Sequence, residues 1–165
     1  MKVITFSFLS FVLVALAACS DSSLSEETAG VSKGLAIEVF KRPTCGCCGK
    51  WVSHIQENGF DPRIRNRESL DAIKKKLNIP PKLQSCHTGV TAEGYFFEGH
   101  IPAKHITAFL ANPPEGAIGL AVPGMPAGSP GMEMGDRFTP YEVLVVKADG
   151  STEPFTAVSG LEEQY

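Results

Sequence analysis

Three of the chain's five cysteines stand within four residues, in Cys45-Gly46-Cys47-Cys48. The segment follows Pro43-Thr44 and opens a stretch with helical periodicity. Three sulfurs at one point cannot all pack apart in a core, so the crowding points to chemistry. A helix N-terminus favours the thiolate, because its unpaired N–H groups and its dipole stabilise negative charge. Thiolates are nucleophiles in disulfide exchange and ligands for soft metals. Redox chemistry and soft-metal binding are therefore the two readings to separate.

Cys45 and Cys48 alone have the C-x-x-C spacing of a dithiol oxidoreductase. Cys47 disturbs that reading. Whichever pair closes, one thiol is left over beside the bond and able to attack it. Around a soft cation the same crowding is an advantage, since three thiolates can share or bridge several Cu(I) ions. Zinc prefers one tetrahedral site closed by four ligands, which the C-G-C-C geometry suits less well. Met125, Met132 and Met134 lie in a Gly/Pro loop. Thioethers also bind copper and cannot form disulfides. The competing reading for these methionines, gap-filling in a loop, is the favoured one.

The elements that must position these residues follow from periodicity. Leu35–Phe40 alternates as a strand, and Cys48, Trp51, Val52 and Ile55 share one face of the helix that follows. Asn58-Gly59 stops that helix. Phe60–Asn66 reads as a strand, despite Pro62, Arg63 and Arg65. Ser69 can cap a second helix with Leu70, Ile73 and Leu77 as its apolar face, ended by Pro80-Pro81. Strands at His87–Thr91 and Tyr95–Glu98 precede a third helix that carries Ile106, Phe109 and Leu110.

This β-α-β-α-β-β-α order is that of a thioredoxin-like core. Such a core holds its active cysteines between the first strand and the first helix, where Cys45–Cys48 falls. The loop entering the third strand faces that junction, and Gln84-Ser85-Cys86-His87 occupies it. Cys86 is thus expected to approach the triplet, against the bland reading of a small buried apolar residue. His87 is an open question as a ligand, and His100 stands where it can approach the site from a strand end. His54 and His105 read as solvated or capping side chains. Beyond the core, Ala117–Val122, Tyr141–Lys147 and Ser151–Val158 read as strands of a C-terminal β extension, the last two flanking an Asp149-Gly150 turn. The fold class expected is α/β, with one folded domain over residues 35–165.

Residues 1–18 read as an export signal: Lys2, then an apolar run from Val3 to Leu16 that is short for a membrane span. Leu16-Ala17-Ala18-Cys19 resembles the lipobox of bacterial lipoproteins, in which the cysteine is lipidated. Lipidation of Cys19 also resolves an odd cysteine count in an exported chain. Residues 19–34 then form a polar, Ser-rich tether. Localisation is expected to be periplasmic, lipid-anchored, with Ser20 after the cysteine favouring the outer membrane. The net charge of −3 and the lone basic run Lys74-Lys75-Lys76 exclude the footprint of a nucleic-acid binder.

Specific motifs carry a resemblance. Pro43-Thr44-Cys45-Gly46-Cys47-Cys48-Gly49-Lys50-Trp51, Leu83-Gln84-Ser85-Cys86-His87-Thr88, Glu98-Gly99-His100-Ile101-Pro102 and the Gly119–Pro126 and Gly128–Glu133 stretches together resemble the CopG-type family. That family comprises small periplasmic metal-binding proteins associated with copper resistance, formerly a domain of unknown function. The resemblance implies a thioredoxin-like fold holding copper as a polynuclear Cu(I) thiolate cluster. Its implied ligands are Cys45, Cys47, Cys48 and Cys86, and it implies a copper oxidoreductase role interconverting Cu(I) and Cu(II). Two alternatives stay open: a thiol-disulfide oxidoreductase using Cys45 and Cys48, and a passive chaperone docking onto a copper-efflux or copper-oxidase protein.

Overall fold

The computed structural model describes residues 34–165. The export signal, Cys19 and the tether preceding residue 34 lie outside the described residues. Among the described residues, seven strands and three α-helices make a mixed α/β fold around one sheet. In chain order these are β1 (Leu35–Lys41), α1 (Gly46–Glu57), β2 (Phe60–Asn66), α2 (Asp71–Lys76), β3 (His87–Val90), β4 (Phe96–Glu98), α3 (Ala103–Ala111), β5 (Ala117–Ala121), β6 (Tyr141–Lys147) and β7 (Thr152–Val158). The β-α-β-α-β-β-α order is present. The three later strands extend the same sheet, whose spatial order is β2-β1-β3-β4-β5-β6-β7. Strands β1 and β2 are parallel, as are β4 and β5, and the remaining neighbours are antiparallel.

Period-two alternation splits the core between the two sheet faces. On one face Ile37, Val39, Phe97, Leu120, Val143 and Val145 pack with the apolar faces of α1 and α3. Trp51, Ile55, Ile106 and Phe109 are fully buried there. Trp51 also satisfies its indole N–H, which donates to the Ile101 carbonyl at 2.8 Å. On the other face Ile79, Leu83, Phe96, Ala121 and Val146 make a smaller cluster. Adjacent Phe96 and Phe97 therefore serve opposite faces.

The second helix departs from its expected pattern. Ser69 does accept the Asp71 N–H, at 3.1 Å. The expected face of Leu70, Ile73 and Leu77 is only partly used, since Ile73 and Leu77 stay half-buried. The residue sent inward is Lys74, 3% exposed. Its ammonium pairs with Glu98, a β4 carboxylate with no exposure, and donates to Thr88 Oγ1 at 3.1 Å. Charge pairing overrides hydropathy at that position, because a buried ammonium is tolerated only when paired and hydrogen-bonded.

Candidate metal centre

Helix α1 begins immediately after Cys45, which occupies its N-cap with extended φ and ψ and no side-chain capping bond. Cys47 and Cys48 fall in the first turn. One helical step separates their fates. Cys48 lies on the Trp51–Ile55 face with no exposure, whereas Cys45 and Cys47 are half-buried. From the other side of the gap, the loop before β3 delivers Cys86. The four sulfurs lie within 4.8 Å of one another. Cys47 is central, with its Sγ 3.5 Å from Cys45 Sγ and 3.9 Å from Cys86 Sγ.

Cys45 and Cys48 are joined as a disulfide, and Cys47 and Cys86 are free. The leftover thiol expected from three crowded cysteines is thus Cys47. Burial, reinforced by the neighbouring Cys47, pushes the Cys86 thiol up to about 12. A soft cation would displace that proton on binding, since metal and proton compete for the thiolate.

Two imidazoles complete the surroundings. His87 Nδ1 is 3.5 Å and His100 Nε2 is 3.6 Å from Cys86 Sγ. Cys86, His87 and His100 form a second set with donor atoms within 4.8 Å. Full burial, then the positive potential of His100 and Lys74, lowers the pKa of His87 well below its ordinary value. Burial lowers that of His100 as well. Both rings are therefore neutral near pH 7, the form that ligates metals. His100 is also oriented: Nδ1 donates to the Pro130 carbonyl at 2.8 Å, which leaves the Nε2 lone pair toward Cys86.

Two devices hold this arrangement. The Glu98 carboxylate accepts the backbone N–H of Ser85 at 2.5 Å and the Thr88 hydroxyl at 2.7 Å, which ties down the loop one residue from Cys86. The Gly/Pro/Met loop walls the opposite flank. Gly131 sits there at φ +87°, and a Cβ at its position would lie 2.7 Å from the Cys47 carbonyl and 2.8 Å from the Trp51 nitrogen. Only glycine permits so close an approach with that backbone.

The structure brings Cys45, Cys47, Cys48 and Cys86 together as one set, and Cys86, His87 and His100 as a second, with His100 reaching the site from a strand end as expected. His54 and His105 belong to neither set. His54 is buried instead of solvated, and its Nε2 accepts the Ala103 N–H at 3.0 Å, capping α3. The signal for His100 was present in the β3–β4 pairing. Thr88 lies opposite Glu98, and continuing that antiparallel register sets His87 opposite Gly99 and Cys86 opposite His100 at one sheet end. The Glu98–Ser85 tie had no sequence signal, because it depends on a single side-chain reach between a strand and a loop.

A mixed α/β sheet with a four-cysteine cluster at a strand-to-helix junction defines a small thiol-site protein, and comparisons with known proteins sharpen that class. A solved structure of copper resistance protein CopG, form 1, is 41% identical, with a TM-score of 0.72, covering 78% of this chain and 100% of that one. Form 2 is 39% identical, with a TM-score of 0.72, covering 77% and 100%. A family model described as a protein of unknown function, DUF411, matches residues 83–132. No curated protein matches. The chain belongs to the CopG family.

Proposed function

We propose that this protein holds Cu(I) in a multi-thiolate site as part of copper resistance. The carrying observation is that four cysteine sulfurs from two distant segments lie within 4.8 Å. That donor set suits a soft monovalent cation, and its crowding suits several bridged ions better than one tetrahedral zinc. The name of the similar solved proteins, copper resistance protein CopG, supports the same ion. Cys45, Cys47, Cys48 and Cys86 are the proposed ligands, with the neutral imidazoles of His87 and His100 beside them. Binding on all four thiolates requires two-electron reduction of the Cys45–Cys48 disulfide. Conversely, its formation by two Cu(II) ions would yield two Cu(I) ions, which is how the site could interconvert the two states.

The framework is proposed to be thioredoxin-like: the β2-β1-β3-β4 order, with β1 and β2 parallel and β3 and β4 antiparallel, supports it. Export by residues 1–18, lipidation at Cys19, a tether to residue 34 and a periplasmic, outer-membrane-anchored location complete the reading. Copper-efflux or copper-oxidase proteins of that compartment are the proposed partners. Among the described residues, no helix is long and apolar enough to cross a membrane.

The Cys45–Cys48 disulfide at the start of α1 favours a second reading, a thiol-disulfide oxidoreductase. Anaerobic Cu(I) titration of the reduced protein, with metal analysis and a parallel insulin-reduction assay, separates the two. The copper reading expects more than one Cu(I) per chain and strong preference over Zn(II). A single tetrahedral Zn(II) that Cu(I) cannot displace would sink it.

A further inference from the structure

An open cavity of about 510 Å³ adjoins the cysteine cluster, within the range of about 300–1,000 Å³ typical of small-molecule sites. Cys45 lines it and is half-buried, whereas Cys48 has no exposure and does not line it. The Cys45–Cys48 disulfide is thus reachable through its Cys45 half. Two charges on the cavity wall are uncommitted. Arg42 and Asp71 both line it, both are exposed, and neither forms a salt bridge among the described residues. The third charged lining residue, Lys74, is buried and already paired with Glu98. The cavity therefore offers a guanidinium and a carboxylate beside one reachable disulfide sulfur.

A thiol that also carries an ammonium and a carboxylate on one carbon matches all three groups. Its carboxylate suits the forked N–H donors of Arg42, its ammonium suits Asp71, and its sulfur meets Cys45. We propose that the cavity binds a small amino-acid thiol, which reduces the Cys45–Cys48 disulfide and so frees all four sulfurs for metal. The purpose rests on the copper reading above, whereas the binding step is measured without copper, so the two fail separately. In the step, the bound thiolate attacks Cys45 Sγ, the Cys45–Cys48 bond breaks, and its electron pair leaves on the Cys48 sulfur. Cys48 stands in the first turn of α1, whose N–H groups favour a departing thiolate. A second thiolate then attacks the small molecule's sulfur in the mixed disulfide and frees Cys45. Two thiols thus lose two electrons and two protons and leave as their own disulfide, and Cys45 and Cys48 gain both.

The test follows opening of the disulfide in the oxidised, metal-free chain under anaerobic conditions, by rapid alkylation and mass spectrometry. Cysteine, glutathione, N-acetylcysteine and mercaptoethanol are compared, each rate divided by the same thiol's rate with a small reference disulfide. N-acetylcysteine keeps the carboxylate and lacks the ammonium, and mercaptoethanol lacks both. Cysteine or glutathione is expected to saturate with concentration, the one saturating at the lower concentration being the better fit, while mercaptoethanol stays linear. Arg42→Gln is expected to slow the saturating thiol about fivefold, the scale of one exposed ion pair, and to leave mercaptoethanol unchanged. Asp71→Asn is expected to slow the saturating thiol similarly and to leave N-acetylcysteine unchanged. Lys82→Gln removes an exposed charge that does not line the cavity, and it is expected to change no rate. Linear kinetics with all four thiols, at equal normalised rates, overturn the site. Equal slowing in Lys82→Gln overturns it too, since general electrostatics would then account for the preference. Failure of the chemically reduced wild-type protein to take any Cu(I) overturns the copper reading and the purpose assigned to the site, while saturation by the thiol would still stand.

Discussion

Cys47 is the sulfur that joins the two halves of the site, 3.5 Å from Cys45 and 3.9 Å from Cys86 while standing outside the disulfide. Cys47→Ser is accordingly expected to leave the Cys45–Cys48 disulfide in place and to change stability by only about 0.5 kcal/mol, as for other partly exposed sites. Its effect should fall on copper: the polynuclear stoichiometry collapses, as metal analysis after gel filtration will read. Cys48 differs because it has no exposure. Cys48→Ser places a hydroxyl against apolar neighbours and is expected to cost about 1–3 kcal/mol in urea unfolding of the reduced protein, as well as copper. The triplet was legible because its members are contiguous. Cys86 was legible only through topology, since no local pattern links it to Cys47. His100 became clear only once the Thr88–Glu98 register was known.

The elements around the cluster act as clamps. Glu98 on β4 joins Lys74 of α2 to the Ser85 backbone, and all of that polarity is buried or half-buried. Removing one partner of such a pair leaves the other charge uncompensated, at a cost of about 3–5 kcal/mol. Glu98→Leu is therefore expected to destabilise the fold by that order and, having no acceptor for the Ser85 N–H, to loosen the Cys86 loop. Lys74→Met added to Glu98→Leu should restore much of the stability, because the stranded ammonium is gone, without restoring the Ser85 tie. Copper affinity measured by chelator competition should stay reduced in the double variant, which separates anchoring from stability. Gly131→Ala meets two backbone atoms at under 3 Å. It is expected to cost about 2 kcal/mol and to displace the wall that orients His100. The strand and helix order was readable from periodicity and turn residues. The Lys74–Glu98 pair was not, because a lysine in a Lys-Lys-Lys run reads as solvated and its partner lies 24 residues away.

At the scale of the whole molecule, His54, His87, His100 and His105 all have lowered pKa values, with burial the first cause in each case. The folded chain keeps these rings neutral, whereas the unfolded chain protonates them near the ordinary value of about 6.5. Protons thus bind the unfolded state preferentially in acid, so stability is present above pH 6.5 and falls as pH drops toward 5. The urea midpoint of the metal-free protein should fall over that range, and His54→Gln, which can retain an acceptor for Ala103, should flatten the fall. The proposed lipid anchor has its own test: if Leu16-Ala17-Ala18-Cys19 is a lipobox, Cys19→Ala abolishes lipidation and membrane fractionation. Wild-type protein recovered wholly soluble and unlipidated would contradict the anchor. The C-terminal strands were legible as strands from alternation and the Asp149-Gly150 turn. Their place in the same sheet was not, since edge-to-edge pairing with β4 is a tertiary choice. The central claim is that the four thiols serve copper as one set. The most direct measurement is the Cys47→Ser, Cys86→Ser double variant, assayed for copper tolerance in cells and for insulin reduction in solution. The account predicts loss of tolerance as severe as in Cys45→Ser, from protein that still folds. Robust insulin reduction with unchanged copper tolerance would contradict it, and would assign the chemistry to Cys45 and Cys48 alone.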